Sequence, residues 1–358
     1  MSLKTYQIDE NYIKTMYQEI TEHIENYQKE FNKDFETFDR WAKTVCQPKY
    51  KLIKNLIYLL EQNDTSFQDK QIIFSIFHQL LLINPNISIQ LKKFDCLPKI
   101  LIEYLFKYKK ENGKNDLFAV STLSFSFQIE KYQDLINLEL IEILFDSLTQ
   151  VKETNVIENL IKLFIEINYI YKSENDIKSN IFLKVFNQHE NSNLFSEIIL
   201  RILNNQKDFD FIQKILYCIK CLMNIKEKDI FYSKDLEAFI DITIRYLEST
   251  ENNELRCYIL EVLQRITKFN EYFNIMYKTK EMQDLLDDYI KSDKVSEKAK
   301  NKSRSILNNL AKNLKRQLLL KSGIKPEDLG DDEEDDEFEE GEEEEDDEQD
   351  DKKEKEAK

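Results

Sequence analysis

Leu255, Tyr258, Ile259, Val262, Leu263 and Ile266 are spaced by threes and fours, which places them on one face of a helix. Leu236, Phe239, Ile240, Ile244 and Leu247 repeat that spacing one segment earlier. The same pattern predicts helices over 52–60, 72–83, 97–108, 138–148, 157–170, 194–203 and 211–225, with a last basic amphipathic helix over 303–320. Short Asn, Asp, Ser and Lys stretches separate them. Several apolar stripes are wide, as in Ile157-Glu-Asn-Leu-Ile-Lys-Leu-Phe-Ile-Glu-Ile167, and a stripe that wide packs on both sides. Consecutive helices with short polar connections predict an all-α fold of armadillo or HEAT type, an α-solenoid. No strict repeat period is visible. The competing reading is one compact bundle, which a body of this length exceeds.

Residues 1–45 are more polar, with Tyr6, Tyr12, Tyr17, Tyr27 and Trp41 interspersed, and are expected to form one or two capping helices. The helical-repeat body is expected over 46–322. Acid precedes base by four residues at Asp241/Arg245 and Glu261/Arg265, the favourable order for pairs along an exposed helix face.

Composition sharpens this picture. The chain of 358 residues has four glycines, where average usage would give about 25. No glycine-rich phosphate loop can be written from Gly113, Gly323, Gly330 and Gly341, which removes nucleotide-binding α/β folds. The formal charge of −17 is uneven. Residues 331–351 hold 18 acids and no base, whereas 1–330 hold 48 acids and 47 bases. A near-neutral body thus carries an anionic tail, and 323–358 is expected to be disordered. Nucleic-acid binding is not expected from such a balance. Five cysteines fit a reducing compartment. No apolar run approaches the roughly 18–20 residues that span a membrane, and the N-terminus has no apolar leader. A cytosolic or nuclear monomer is expected.

Candidate chemistry is sparse. Cys218-x-x-Cys221 is the one CxxC, inside an apolar helical run, with no second ligand pair for zinc. It reads as two small buried hydrophobes. His23, His78 and His189 stand apart from one another. No cofactor, metal site or enzymatic activity is expected.

Three blocks carry a resemblance. Ile230-Phe-Tyr-Ser-Lys-Asp-Leu-Glu-Ala-Phe-Ile-Asp-Ile-Thr-Ile-Arg-Tyr-Leu247 is followed by Leu255-Arg-Cys-Tyr-Ile-Leu260 and preceded by Asn193-Leu-Phe-Ser-Glu-Ile-Ile-Leu-Arg-Ile-Leu-Asn-Asn205. Their order and spacing resemble the WISH/DIP family, over roughly 156–290. The matching positions are Phe231, Tyr232, Asp235, Leu236, Ile240, Asp241, Ile242, Ile244, Arg245, Leu255 and Arg256. The family's second-block tyrosine falls at Ile259, beside Tyr258. The resemblance implies an armadillo-like domain that binds the Arp2/3 complex and activates it without a mother filament. It would thereby seed linear actin filaments, with the filament end as a further partner, at the cortical actin cytoskeleton and in endocytosis. Some members carry an SH3 domain and Pro-rich segments, which four prolines do not support here.

The signature region supplies the candidate partner-binding residues Phe231, Tyr232, Asp235, Asp241, Arg245 and Arg256. Each has a structural reading beside it. Phe231, Leu236, Ile240 and Ile244 suit the core, Ser233 or Asp235 can cap the helix, and Asp241 and Arg245 can pair on one face or tie repeats together. In the tail, Phe338 is one aromatic within continuous acid. It resembles the acidic segments of WASP-type activators, which place Trp there, and 310–320 loosely resembles their connector helix. Phe338 is therefore a candidate contact to the complex, against the reading of a solvated tail. The rival function is a helical-repeat scaffold or chaperone-like adaptor whose acidic tail binds basic proteins such as histones.

Overall fold

The structure is a computed structural model. It describes residues 51–322 except 63, 174–178, 190–191 and 226–230, together with Thr15 and Gln18. Apart from Thr15 and Gln18, the segment 1–45 expected to form capping helices lies outside the described residues, as do His23, the acidic segment and Phe338. All described secondary structure is helical, with sixteen α-helices and two short 3-10 turns. None of the described helices is long and apolar enough to cross a membrane.

In chain order the helices are α1 Lys51–Glu61, α2 Phe67–Ile83, α3 Ile87–Leu91, α4 Leu97–Asn112, α5 Leu117–Ser126, α6 Ile129–Tyr132, α7 Leu138–Leu148 and α8 Thr154–Ile170. A 3-10 turn, Tyr171–Ser173, follows α8. Then come α9 Ile181–Gln188, α10 Ser192–Asn205, α11 Phe209–Leu222, α12 Ser233–Ser249, α13 Asn253–Ile266, α14 Asn270–Ile275, α15 Thr279–Lys291 and α16 Glu297–Lys321. The chain divides into two compact units, Met1–Leu307 and Asn308–Lys358. What is described of the second is the C-terminal part of α16.

The polar separators act as caps. Asp116, Asn137, Asn180 and Asn252 each place a side-chain oxygen on free N–H groups at the next helix start. Gly113 ends α4 in the left-handed region at φ 65, which a residue without Cβ adopts freely.

In the first unit the helices stack as a helical-repeat solenoid of two rows. One row runs α2–α5–α8–α11–α13, each helix packed on the next. The other runs α1–α4–α7–α9, and then α10–α12. The core lies between the rows. It includes an aromatic cluster of Phe145, Phe164, Phe182, Phe186 and Phe195, all fully buried, where α7, α8, α9 and α10 meet. Phe145 and Phe164 stack at 4.3 Å.

The repeat period invisible in the sequence shows in the bonds between neighbouring repeats. Their partners recur at similar separations: 41 residues for Arg245–Asn204 and Gln264–Ser305, and 43 for His78–Ser121, Tyr246–Leu203 and His189–Asp146. This lies in the range of HEAT and armadillo repeats. The packing units repeat although the residue types do not.

Candidate functional site

The signature segment opens at a corner. Phe231 is buried, and Tyr232 beside it is 58% exposed. The Tyr232 backbone N–H donates to the Asp235 carboxylate at 3.1 Å, so Asp235 caps the start of α12. Leu236, Phe239, Ile240, Ile244 and Leu247 are buried, as the helical face predicts.

Asp241 and Arg245 both tie repeats together, in different directions. The Asp241 carboxylate takes an ion pair from Lys278 at 3.1 Å and the Tyr277 hydroxyl at 3.3 Å. Arg245 donates to the side chain of Asn204 at 2.9 Å. Arg256 is half-buried. Its Nη2 donates to the Thr250 carbonyl at 2.6 Å and its Nη1 to the side chain of Asn253 at 3.1 Å. Its guanidinium lies over the Tyr289 ring at 5.3 Å. The corner Met276-Tyr277-Lys278 that holds Asp241 has φ of 44 and 48 at Met276 and Lys278. Left-handed backbone at two residues with side chains is costly, so the surrounding structure fixes this corner.

The second exposed feature lies on the row α8–α11–α13. Tyr169, Tyr217 and Tyr258, all half-exposed, come one from each helix. The Lys172 ammonium donates to the hydroxyls of Tyr169 and Tyr258, at 3.1 and 2.6 Å. These partners are 86 residues apart for Lys172 and Tyr258, twice the usual separation, so the turn after α8 reaches past α11 to meet α13. Beside it, a cleft of about 490 Å³ is lined by Lys131, Asn159, Lys162, Glu166 and Lys214 among others. Residue patterning did not single out this tyrosine set. The available signal was its spacing, since Tyr217 and Tyr258 are one repeat apart.

An ion ladder continues along the same row. Lys214 pairs with Glu166 at 2.7 Å, and Glu261 takes Lys220 at 3.3 Å and Lys302 at 2.8 Å. The within-helix pair expected at Glu261/Arg265 is thus replaced by bonds between repeats, and Arg265 reaches Asn224. Burial pushes the Glu261 carboxyl up, but the two lysines outweigh it and hold it below the usual value. The stability it contributes is therefore present above the unfolded value of about 4.3 and is lost as pH falls through the lower folded value. Glu261→Gln is expected to lower the unfolding free energy at pH 7, measured by urea unfolding, by about 1–3 kcal/mol, because two half-buried lysines lose their shared acceptor. The gap from the parent should close toward pH 3. A pH-independent gap would show that packing, not charge, sets the loss.

The remaining chemistry is structural. Cys218 and Cys221 are buried within α11, and burial pushes both thiols up, away from reactivity. His78 is buried with Nδ1 2.8 Å from the Ser121 hydroxyl, and burial lowers its basicity. Asp146 collects His189 and Lys109, each at 2.9 Å. No group of three or more His, Cys, Asp or Glu suited to a metal occurs among the described residues.

Residues 153–282 match the family model of the SPIN90/Ldb17 leucine-rich domain, the domain of the WISH/DIP/SPIN90 family. The match runs from the start of α8 through α14 and ends in the first turn of α15, and so contains all three sequence blocks. That family is one of non-catalytic scaffold and adaptor proteins with cytoskeletal roles. No curated protein matches the chain.

Proposed function

We propose, from a leucine-rich domain of the WISH/DIP/SPIN90 family, that this protein is a non-enzymatic activator of the Arp2/3 complex. It binds the complex through the helical-repeat domain and promotes nucleation of linear actin filaments without a mother filament. The observation that carries this reading is the family match over 153–282, on the three blocks recognised in the sequence. A rigid repeat domain that prefers the active arrangement of the complex would shift its population toward that state.

Among the signature residues, Tyr232, Asp241 and Arg245 are exposed and are assigned to the partner surface. Phe231, Asp235 and Arg256 hold that surface in place. Phe338 is assigned as an aromatic anchor within the acidic tail, whose charge steers encounter with a basic rim. The domain limits 1–45, 46–322 and 323–358, a monomeric state and a cortical location belong to the same proposal.

The test is bulk actin assembly with purified Arp2/3 complex and full-length protein, without added filaments or other activators. The expected result is a shortened lag with mostly unbranched products. Absence of both binding and nucleation with complex from a matched source overturns the proposal. In the binding arm, Phe338→Ala should weaken affinity while leaving its salt dependence. Affinity equal to the parent would leave the tail as a solvated segment. The 18 acids of 331–351 favour the adaptor reading as the second possibility. Recovery of histones in place of actin-related proteins in a pull-down would support it.

A further inference from the structure

The cleft of about 490 Å³ crosses three repeats of one row, α5, α8 and α11, and also takes residues from the end of α3 and from α6. Its volume lies in the range of roughly 300–1,000 Å³ typical of ligand sites. Buried Phe125, Phe127 and Leu163 contribute apolar surface to it. Four lysines and two glutamates line the same space. Lys131 is held by Asp95 at 3.4 Å and Lys214 by Glu166 at 2.7 Å, while Glu130 is exposed. Lys92, at the end of α3, and Lys162, on α8, are half-buried, and their ammonium groups have no hydrogen bond or ion pair among the described residues. An ammonium that has given up part of its water gains most from a carboxylate that reaches it.

Gln128 makes a second demand. It lines the cleft, and its side-chain Oε1 is buried with no donor among the described residues. A buried carbonyl oxygen left unpaired is costly, and only an N–H or O–H group relieves it. The two demands differ: the lysines call for an anion, the amide oxygen for a donor. A simple anion meets the first alone. A peptide with acidic side chains meets both, through its carboxylates and its backbone N–H groups, and an apolar side chain between the acids can cover the phenylalanines.

We propose that this cleft is a docking site for an acidic peptide segment of a partner protein, whose carboxylates pair with Lys92 and Lys162 and whose backbone N–H donates to Gln128 Oε1. None of its lining residues comes from α12 or α13, where the signature residues lie. It is therefore a second surface, and it does not depend on which complex the domain serves.

The experiment uses the full chain and, as probe, the acetylated and amidated peptide Glu-Glu-Leu-Glu-Glu, titrated by calorimetry. The parent is expected to bind it saturably and to ignore the same peptide with Gln in place of every Glu. Lys162→Gln should weaken binding at least about tenfold, the loss of a charged hydrogen bond, and Gln128→Leu about three- to tenfold, the loss of a neutral one. Lys184→Gln removes the same charge at an exposed site on α9 and should bind as the parent does. All variants are checked for unchanged circular dichroism. Sulfate, an anion with no donor, should displace the peptide no better than chloride at matched ionic strength. Absence of saturable binding, equal effects of Lys162→Gln and Lys184→Gln, parent-like affinity of Gln128→Leu, or displacement by sulfate would overturn the proposal. So would a carbodiimide cross-link from Lys92 or Lys162 to the chain's own 331–351 in the absence of peptide, which would assign the cleft to that acidic segment.

Discussion

Phe164→Ala is expected to destabilise the protein by about 3–5 kcal/mol, the range for emptying a fully buried aromatic site. Phe164 is completely buried on α8. Its ring stacks on Phe145 at 4.3 Å and lies 5.8 Å from Phe182 and 6.1 Å from Phe195. Alanine removes one ring from a cluster whose other members are held by three different helices, so the site cannot collapse around the gap. In a solenoid each repeat is stabilised by its neighbours, and a weakened junction also loosens the repeats on either side. Urea unfolding followed by circular dichroism measures this. Tyr58→Ala, at a half-exposed position, is the comparison and should change stability by less than about 0.5 kcal/mol. If the two midpoints shift alike, the cluster is not the packed centre of the domain.

Amphipathic helices were legible because one buried face leaves a regular pattern. The segment expected over 138–148 is α7, Leu138–Leu148, and the one over 157–170 lies within Thr154–Ile170. Helix α5 was not predicted. Its sequence, Leu117-Phe-Ala-Val-Ser-Thr-Leu-Ser-Phe-Ser126, is packed on α2 and α8 of its own row and on α4 and α7 of the other, so no polar face interrupts it. Ser121, Thr122 and Ser126 are buried there and bond within the fold: Thr122 and Ser126 donate to carbonyls one turn earlier, and Ser121 meets His78. Hydroxyls satisfied in this way look polar in sequence and behave as core. The bonds between repeats were equally hidden. Asp241 and Arg245 stand four apart on one helix, yet their partners lie 37 residues ahead at Lys278 and 41 behind at Asn204. Only the stacking of repeats brings those residues together. Tyr258 shows the same limit at single-residue scale. It lies at the margin of the predicted apolar face, beside the fully buried Ile259, and the structure turns its hydroxyl to Lys172. The apolar place of the motif is therefore Ile259, while Tyr258 serves the exposed side.

Two substitutions in the signature should separate partner surface from scaffold. Arg256→Ala is expected to cost about 2–4 kcal/mol of stability, because charged hydrogen bonds contribute about 1.5–3 kcal/mol and an orphaned buried carbonyl adds its own penalty. The carbonyl concerned is that of Thr250, a buried residue at the end of α12, and the lost guanidinium also covers the Tyr289 ring. Arg256→Lys should recover less than half of the loss, since a point charge cannot span Thr250 and Asn253 while lying flat on a ring. Tyr232→Ala should leave stability within about 0.5 kcal/mol, because the side chain is exposed and the bond to Asp235 comes from the backbone N–H. If Tyr232 contacts the Arp2/3 complex as an aromatic anchor, its loss should weaken binding about 30-fold, equivalent to about 2 kcal/mol. Urea midpoints and affinities measured on the parent and all three variants give the sorting. Parent-like affinity for Tyr232→Ala would remove it from the contact surface, and parent-like stability for Arg256→Ala would remove Arg256 from the scaffold. The contrast follows from what each side chain touches: one closes the end of a helix, and the other stands in water beside a capped one.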